Sequence, residues 1–151
     1  MARTRLTRGD LWLFAAILAG FAVADAAVLT WQWYAPSGTW CDLGTYFSCT
    51  RVRESPFASV AGIPMAGIGL AGFAGLLGLA LAGLLGVERL GPLAPARDLL
   101  ILAGVGGVLG AVLTGIEVFV IESVCLLCAI GFGLDLGVLG LAWRLRRNEG
   151  P

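Results

Sequence analysis

Four cysteines, Cys41, Cys49, Cys125 and Cys128, are the residues of this chain best suited to chemistry. They fall into two pairs. Cys41 and Cys49 enclose seven residues, a loop that a disulfide closes easily. Cys125-Leu-Leu-Cys128 has the spacing that puts two sulfurs on one face of a helix. A bond across a single turn closes little chain and so constrains little. The N-terminus of a helix offers something else: unpaired N–H groups and partial positive charge, which favour thiolate. The second pair therefore reads as redox-active, and the first as either a staple or a second redox pair. Four thiolates could hold zinc, but one pair would have to leave its loop to join the other, and no metal site is assigned. Histidine is absent, which removes the commonest general base and metal ligand together.

The elements that must position these sulfurs are membrane-spanning. The chain has 151 residues, 58% hydrophobic and 13% charged, with a mean hydropathy of +0.90. A water-soluble fold of this size has too little interior for so much apolar surface. The net charge is zero, so nucleic-acid binding lacks an electrostatic basis. A hydrocarbon core takes about 20 helical residues to cross. Four stretches suffice: Leu11–Trp33, Ile63–Gly86, Arg97–Val120 and Val124–Trp143. The first is too long for a signal-peptide core and lacks a clear cleavage site. The expected architecture is an all-α membrane protein, one domain over residues 1–151, built as a four-helix bundle with an outer cap loop at 34–62.

Every basic residue is an arginine, and eight of the ten fall on one side. Arg3, Arg5 and Arg8 precede span one, Arg89 and Arg97 lie between spans two and three, and Arg144, Arg146 and Arg147 follow span four. The positive-inside rule makes that side cytoplasmic, with both termini there. All four cysteines then map to the outer face, where thiols tend to be oxidised. In the cap loop, Pro36, Gly38, Gly44 and Pro56 mark turns. Ser55-Pro56 reads as a helix start, with serine as N-cap, predicting a short surface helix over about Pro56–Ala61. The many glycines of spans two and three read as packing residues.

Two pairs on one face point to a relay, because thiol–disulfide exchange runs through mixed disulfides. Cys49 is expected to swing onto Cys125, leaving Cys41 to meet an outside protein. Cys128, one turn deeper, would face a lipid-soluble two-electron acceptor, for which quinones are the obvious class. Asp25, Glu117 and Asp135 fall inside spans, where an ionised carboxylate is costly. They are expected to act as neutral partners in interhelical hydrogen bonds. Glu117, nearest the outer face, is also a candidate to handle quinone protons.

The segments Cys41-Asp-Leu-Gly-Thr-Tyr-Phe-Ser-Cys49-Thr-Arg-Val, Ser55-Pro-Phe-Ala, Gly62-Ile-Pro and Cys125-Leu-Leu-Cys128 together resemble the vitamin K epoxide reductase family in its bacterial form, over about residues 25–132. The resemblance implies a four-helix bundle around a quinone of the menaquinone, ubiquinone or vitamin K type. It implies that Cys128 contacts the quinone, that Cys125 is its partner, and that Cys49 exchanges with Cys125. Cys41 would exchange with a thioredoxin-like protein outside the cytoplasm, so that the chain supports disulfide formation from a bacterial inner membrane. Ser55 would help shape the quinone end, where Phe57, Met65, Glu117 and Phe132 are further candidate contacts. Bacterial members often carry a fused thioredoxin-like domain; here that partner is expected in trans.

Vertebrate members have a tyrosine where this chain has Phe132 and an asparagine near span two that is missing here, so plain quinone reduction is favoured over reduction of a vitamin K epoxide. A quinone-linked disulfide generator of the DsbB type is an alternative, but there the C-x-x-C lies in the first outer loop. A non-enzymatic, claudin-like tetraspan with structural disulfides would account for Trp40-Cys41 and Cys49 but leaves Cys125-x-x-Cys128 unexplained.

Overall fold

A computed structural model describes residues 6–35 and 40–148; Arg3, Arg5, Pro36 and Gly38 lie outside the described residues. Four long helices carry the chain: α1 (Arg8–Tyr34), α3 (Met65–Leu84), α4 (Pro95–Ile116) and α5 (Leu126–Arg147). A π-helical turn, Glu117–Ile121, extends α4. Short α2 (Cys49–Arg53) and a two-stranded hairpin, β1 (Ser59–Val60) with β2 (Ile63–Pro64), lie in the connection between α1 and α3. Each long helix is apolar and long enough to cross a bilayer, with 20 to 27 residues per span; at about 1.5 Å per residue the shortest covers about 30 Å. The chain is an integral membrane protein.

The packing inverts that of a soluble bundle. The face of α1 turned inward carries Ala15, Ala19, Ala22 and Ala26, while Phe21, Ile101, Val108 and Phe119 point outward. Lipid tails solvate large apolar side chains as well as a protein interior does, so helices gain by presenting small residues to one another. α1 packs against α3 and α5, and α4 against α3 and α5. Leu11, Trp12, Leu76, Leu99, Val138 and Leu145 fill the core toward the end where α1 begins and α5 stops. Arg8, Arg89, Arg97, Arg144, Arg146 and Arg147 cluster there by topology, opposite the cysteines.

Each span agrees with the sequence reading to within a few residues. The surface helix does not. The chain forms α2 at Cys49–Arg53, and 56–61 holds a turn at 56–58, the strand β1 and the start of the hairpin turn. Ser48 is the cap that the sequence reading missed: its hydroxyl accepts from Arg51 N. Ser55, expected to be an N-cap, instead donates its hydroxyl to the Val52 carbonyl at 2.7 Å. The reason is local. Ala61 and Gly62 both take positive φ, the conformation of a tight two-residue hairpin turn, and so fold Val60 back onto Ile63. A helix cannot run into that turn.

Candidate redox site and its cavity

The outer loop is stitched to the turn before α5. Val124 N donates to Tyr46 O at 2.8 Å, Ser48 N donates to Val124 O at 3.2 Å, and the Ser123 hydroxyl donates to Tyr46 O at 3.0 Å. The result is a single parallel bridge between Phe47 and Val124, each next but one or adjacent to a cysteine. Asp42 braces the loop from the other side: Oδ1 accepts from the Ser48 hydroxyl at 2.9 Å and from Thr50 N at 3.1 Å. Arg53 Nη1 donates to Gln32 O at 3.0 Å, fastening α2 to the end of α1.

These bonds bring the two cysteine pairs together. Cys41 and Cys49 form a disulfide, and Cys125 and Cys128 are free thiols. Cys49 Sγ lies 3.0 Å from Cys125 Sγ, and the sulfurs of Cys41, Cys49 and Cys125 all fall within 4.8 Å of one another. No swing is needed to join the pairs, contrary to expectation. Nor must a pair leave its loop to form a sulfur cluster, but Cys41 and Cys49, joined to each other, have no thiolate to offer a metal. Cys41 is only 3% exposed. Meeting an outside protein therefore requires the loop to lift.

Cys125 is the N-cap of α5, where its sulfur accepts from Cys128 N at 3.4 Å. The thiol of Cys128 turned onto that sulfur, aided by backbone N–H groups of the first turn, holds the Cys125 thiol below its usual pKa against the opposing effect of burial. Cys125 N in turn donates to Glu117 Oε2 at 3.0 Å. Glu117 is 6% exposed and begins the π-helical turn, whose wider coil ends with Glu122 in the left-handed region. Single π-turns inside α-helices are frequent at functional sites; here the turn places a carboxyl against the start of the next helix.

Beneath the sulfurs lies a cavity of about 420 Å³ bordered by α1, α3, α4, α5 and the segment from α2 to β1. Cys49, Cys125 and Cys128 open onto it, and so do Ser55, Phe57, Met65, Glu117 and Phe132, the five residues named as candidate contacts. Its remaining walls are largely apolar, with Asp25, Gln32, Arg53, Thr114 and Asp135 as polar exceptions. The glycines do more than pack. A side chain on Gly110 would collide with the Phe132 ring, and a Cβ on Gly106 would lie 2.9 Å from Asp135 Oδ1. The interhelical hydrogen bond expected of Asp135 is not formed: both carboxyl oxygens are buried without a partner among the described residues.

Sequence reasoning missed Tyr46, Ser48, Ser123 and Val124 as the residues that position the sulfurs. Their adjacency to Cys49 and Cys125 was the only signal, since a one-residue bridge between distant segments leaves no periodicity. Comparison with curated proteins yields no match to this chain. The model of the family described as Vitamin K epoxide reductase matches residues 12–143, nearly the whole chain and all four cysteines. The protein belongs to the vitamin K epoxide reductase family, and is in general terms an oxidoreductase of the membrane.

Proposed function

We propose that the protein carries electrons from a thioredoxin-like partner outside the cytoplasm to a membrane quinone, and so supports disulfide formation there. The observation that carries this reading is the 3.0 Å approach of Cys49 Sγ to Cys125 Sγ, with Cys128 opening onto an apolar cavity within the bundle. The cavity suits a ring with an apolar tail: greasy walls, a few polar groups, and one unpartnered carboxyl inside. The arginine distribution supports placing the sulfurs on the extracytoplasmic side, and the resemblance to bacterial members of the family supports a bacterial inner membrane.

In the proposed sequence a reduced partner dithiol attacks Cys41 of the Cys41–Cys49 disulfide. It leaves oxidised, and Cys41 and Cys49 become thiols. Cys49 then attacks Cys125 of a Cys125–Cys128 disulfide, Cys128 departs as thiolate, and a Cys49–Cys125 mixed disulfide forms. Cys41 attacks Cys49 and releases Cys125. The products are an oxidised outer pair and a reduced inner pair, the bonding pattern of the structure. When bound, the quinone accepts two electrons and two protons, which restores the Cys125–Cys128 disulfide. Glu117 holds Cys125 N in place and is suited to receive a thiol proton; Ser55, Phe57, Met65 and Phe132 would line the ring. Phe132 has no hydroxyl to donate, so reduction of a quinone is proposed rather than of an epoxide.

The test uses purified protein in detergent, a reduced thioredoxin-like donor and a soluble quinone analogue. Cys128→Ala abolishes quinone reduction with any donor. Cys41→Ala blocks reduction driven by the protein donor but spares that driven by a small membrane-permeant thiol. Equal loss with both donors would sink the ordered relay.

A further inference from the structure

Below the sulfurs, one face of α5 carries Gly131 and, one turn on, Asp135. The carboxyl of Asp25, reaching across from α1, occupies the space that a side chain on Gly131 would fill, with Oδ2 2.9 Å from that Cβ position. Asp135 rests over the bare backbone of α4, its oxygens 2.9 and 3.5 Å from where Cβ atoms on Gly106 and Gly107 would stand. Three glycines thus make room for two carboxyls on one wall of the cavity.

Asp135 is 2% exposed, and neither oxygen has a hydrogen-bond partner among the described residues. In hydrocarbon an unmet polar group is expensive, and an alanine or leucine in its place would incur no such penalty. The described residues of the spans offer no cation nearby, since the basic side chains sit at the two ends of the bundle. A neutral carboxyl in such a place is a hydrogen-bond donor without an acceptor among the described residues, closed against the α4 glycines at the edge of the cavity that Asp25 and Asp135 both line. The chemistry that satisfies it is a neutral oxygen acceptor carried by an otherwise apolar molecule.

We propose that Asp25 and Asp135 form an inner polar contact in this cavity that hydrogen-bonds a ring oxygen of the quinone. The proposal rests on the quinone reading above. The pair would then be what distinguishes an oxygenated ring from the lipid tails that could otherwise fill the space.

The test measures binding of a decyl-chain benzoquinone and a naphthoquinone to the purified full chain by equilibrium dialysis, separately from turnover. Asp25→Leu and Asp135→Leu each weaken binding about tenfold, the effect of one hydrogen bond, while Asp135→Asn, which still donates, loses less than threefold. Exchange between Cys49 and Cys125 is unchanged in all three. A second measurement needs no variant. Dicyclohexylcarbodiimide, which labels neutral carboxyls in lipid, modifies Asp25 or Asp135 of the unaltered protein, and either quinone analogue slows that labelling several-fold. Unchanged affinity in folded leucine variants, or labelling equally fast with and without the analogue, overturns the proposal. If the unaltered protein binds neither analogue, the quinone reading itself fails and takes this inference with it.

Discussion

Cys49 Sγ and Cys125 Sγ, 76 residues apart in sequence, lie 3.0 Å apart in space, and both are buried. With Cys41 and Cys128 both changed to serine, these two are the remaining cysteines. Oxidation should then join them in nearly all of the folded protein, because no third thiol can resolve the bond. Peptide mapping without reductant detects the Cys49–Cys125 link. A variant that stays fully reduced under oxidant would show that the pairs do not communicate directly.

The approach depends on backbone bonds from Tyr46–Ser48 to Ser123–Val124. Val124→Pro deletes the N–H that donates to Tyr46 O at 2.8 Å. In the two-cysteine background, formation of the Cys49–Cys125 link should slow by tenfold or more, an order-of-magnitude expectation for losing about 1.4 kcal/mol of positioning. The quinone affinity should not change. Equal rates would mean that Asp42 and Arg53 hold the loop unaided.

Glu117 accepts from Cys125 N at 3.0 Å. Glu117→Leu leaves that buried N–H unmet and should lower stability in detergent by about 1–3 kcal/mol. Glu117→Gln keeps an acceptor, so its melting point should stay close to that of the unaltered protein. It cannot take a proton, however, and oxidation of the Cys125/Cys128 dithiol by a quinone analogue should slow by about 100-fold, the lower end for general-base catalysis. If the glutamine variant turns over at full rate, the carboxyl has only a structural role.

The pKa of the Cys125 thiol is lowered chiefly by the Cys128 thiol beside it. Thiolate is the reactive form, so a lowered pKa keeps exchange fast to more acidic pH, and the rate falls only as pH drops through that value. With Cys41 and Cys49 both changed to serine, the pH midpoint for attack of Cys125 on a small disulfide should lie below that of an ordinary thiol. Adding Cys128→Ala removes the stabilising contact and should move the midpoint to higher pH. Stopped-flow exchange with a small disulfide across pH 5–10 measures it; coincident profiles would remove Cys128 from control of its neighbour.

The solvent and the pattern of crossings are legible in the order of residues alone. Length, apolarity and the arginine distribution leave few arrangements for four spans, because a helix in lipid must satisfy its own backbone and be about 20 residues long. The family was legible as well, in the joint spacing of Cys41, Cys49, Cys125 and Cys128. The remainder comes from contacts made only in the folded chain. The helix at Cys49–Arg53 in place of one at 56–61 depends on Ala61 and Gly62 turning the chain, and on Ser48 and Asp42 capping and bracing it. That Cys49 already touches Cys125, that Cys41 is covered, and that Asp135 packs against the α4 glycines without a partner among the described residues are consequences of contacts between segments far apart in the chain. Hydrophobic periodicity records which residues meet lipid or core. It does not record which loop backbone finds which distant N–H, and those few bonds set the distance between the sulfurs.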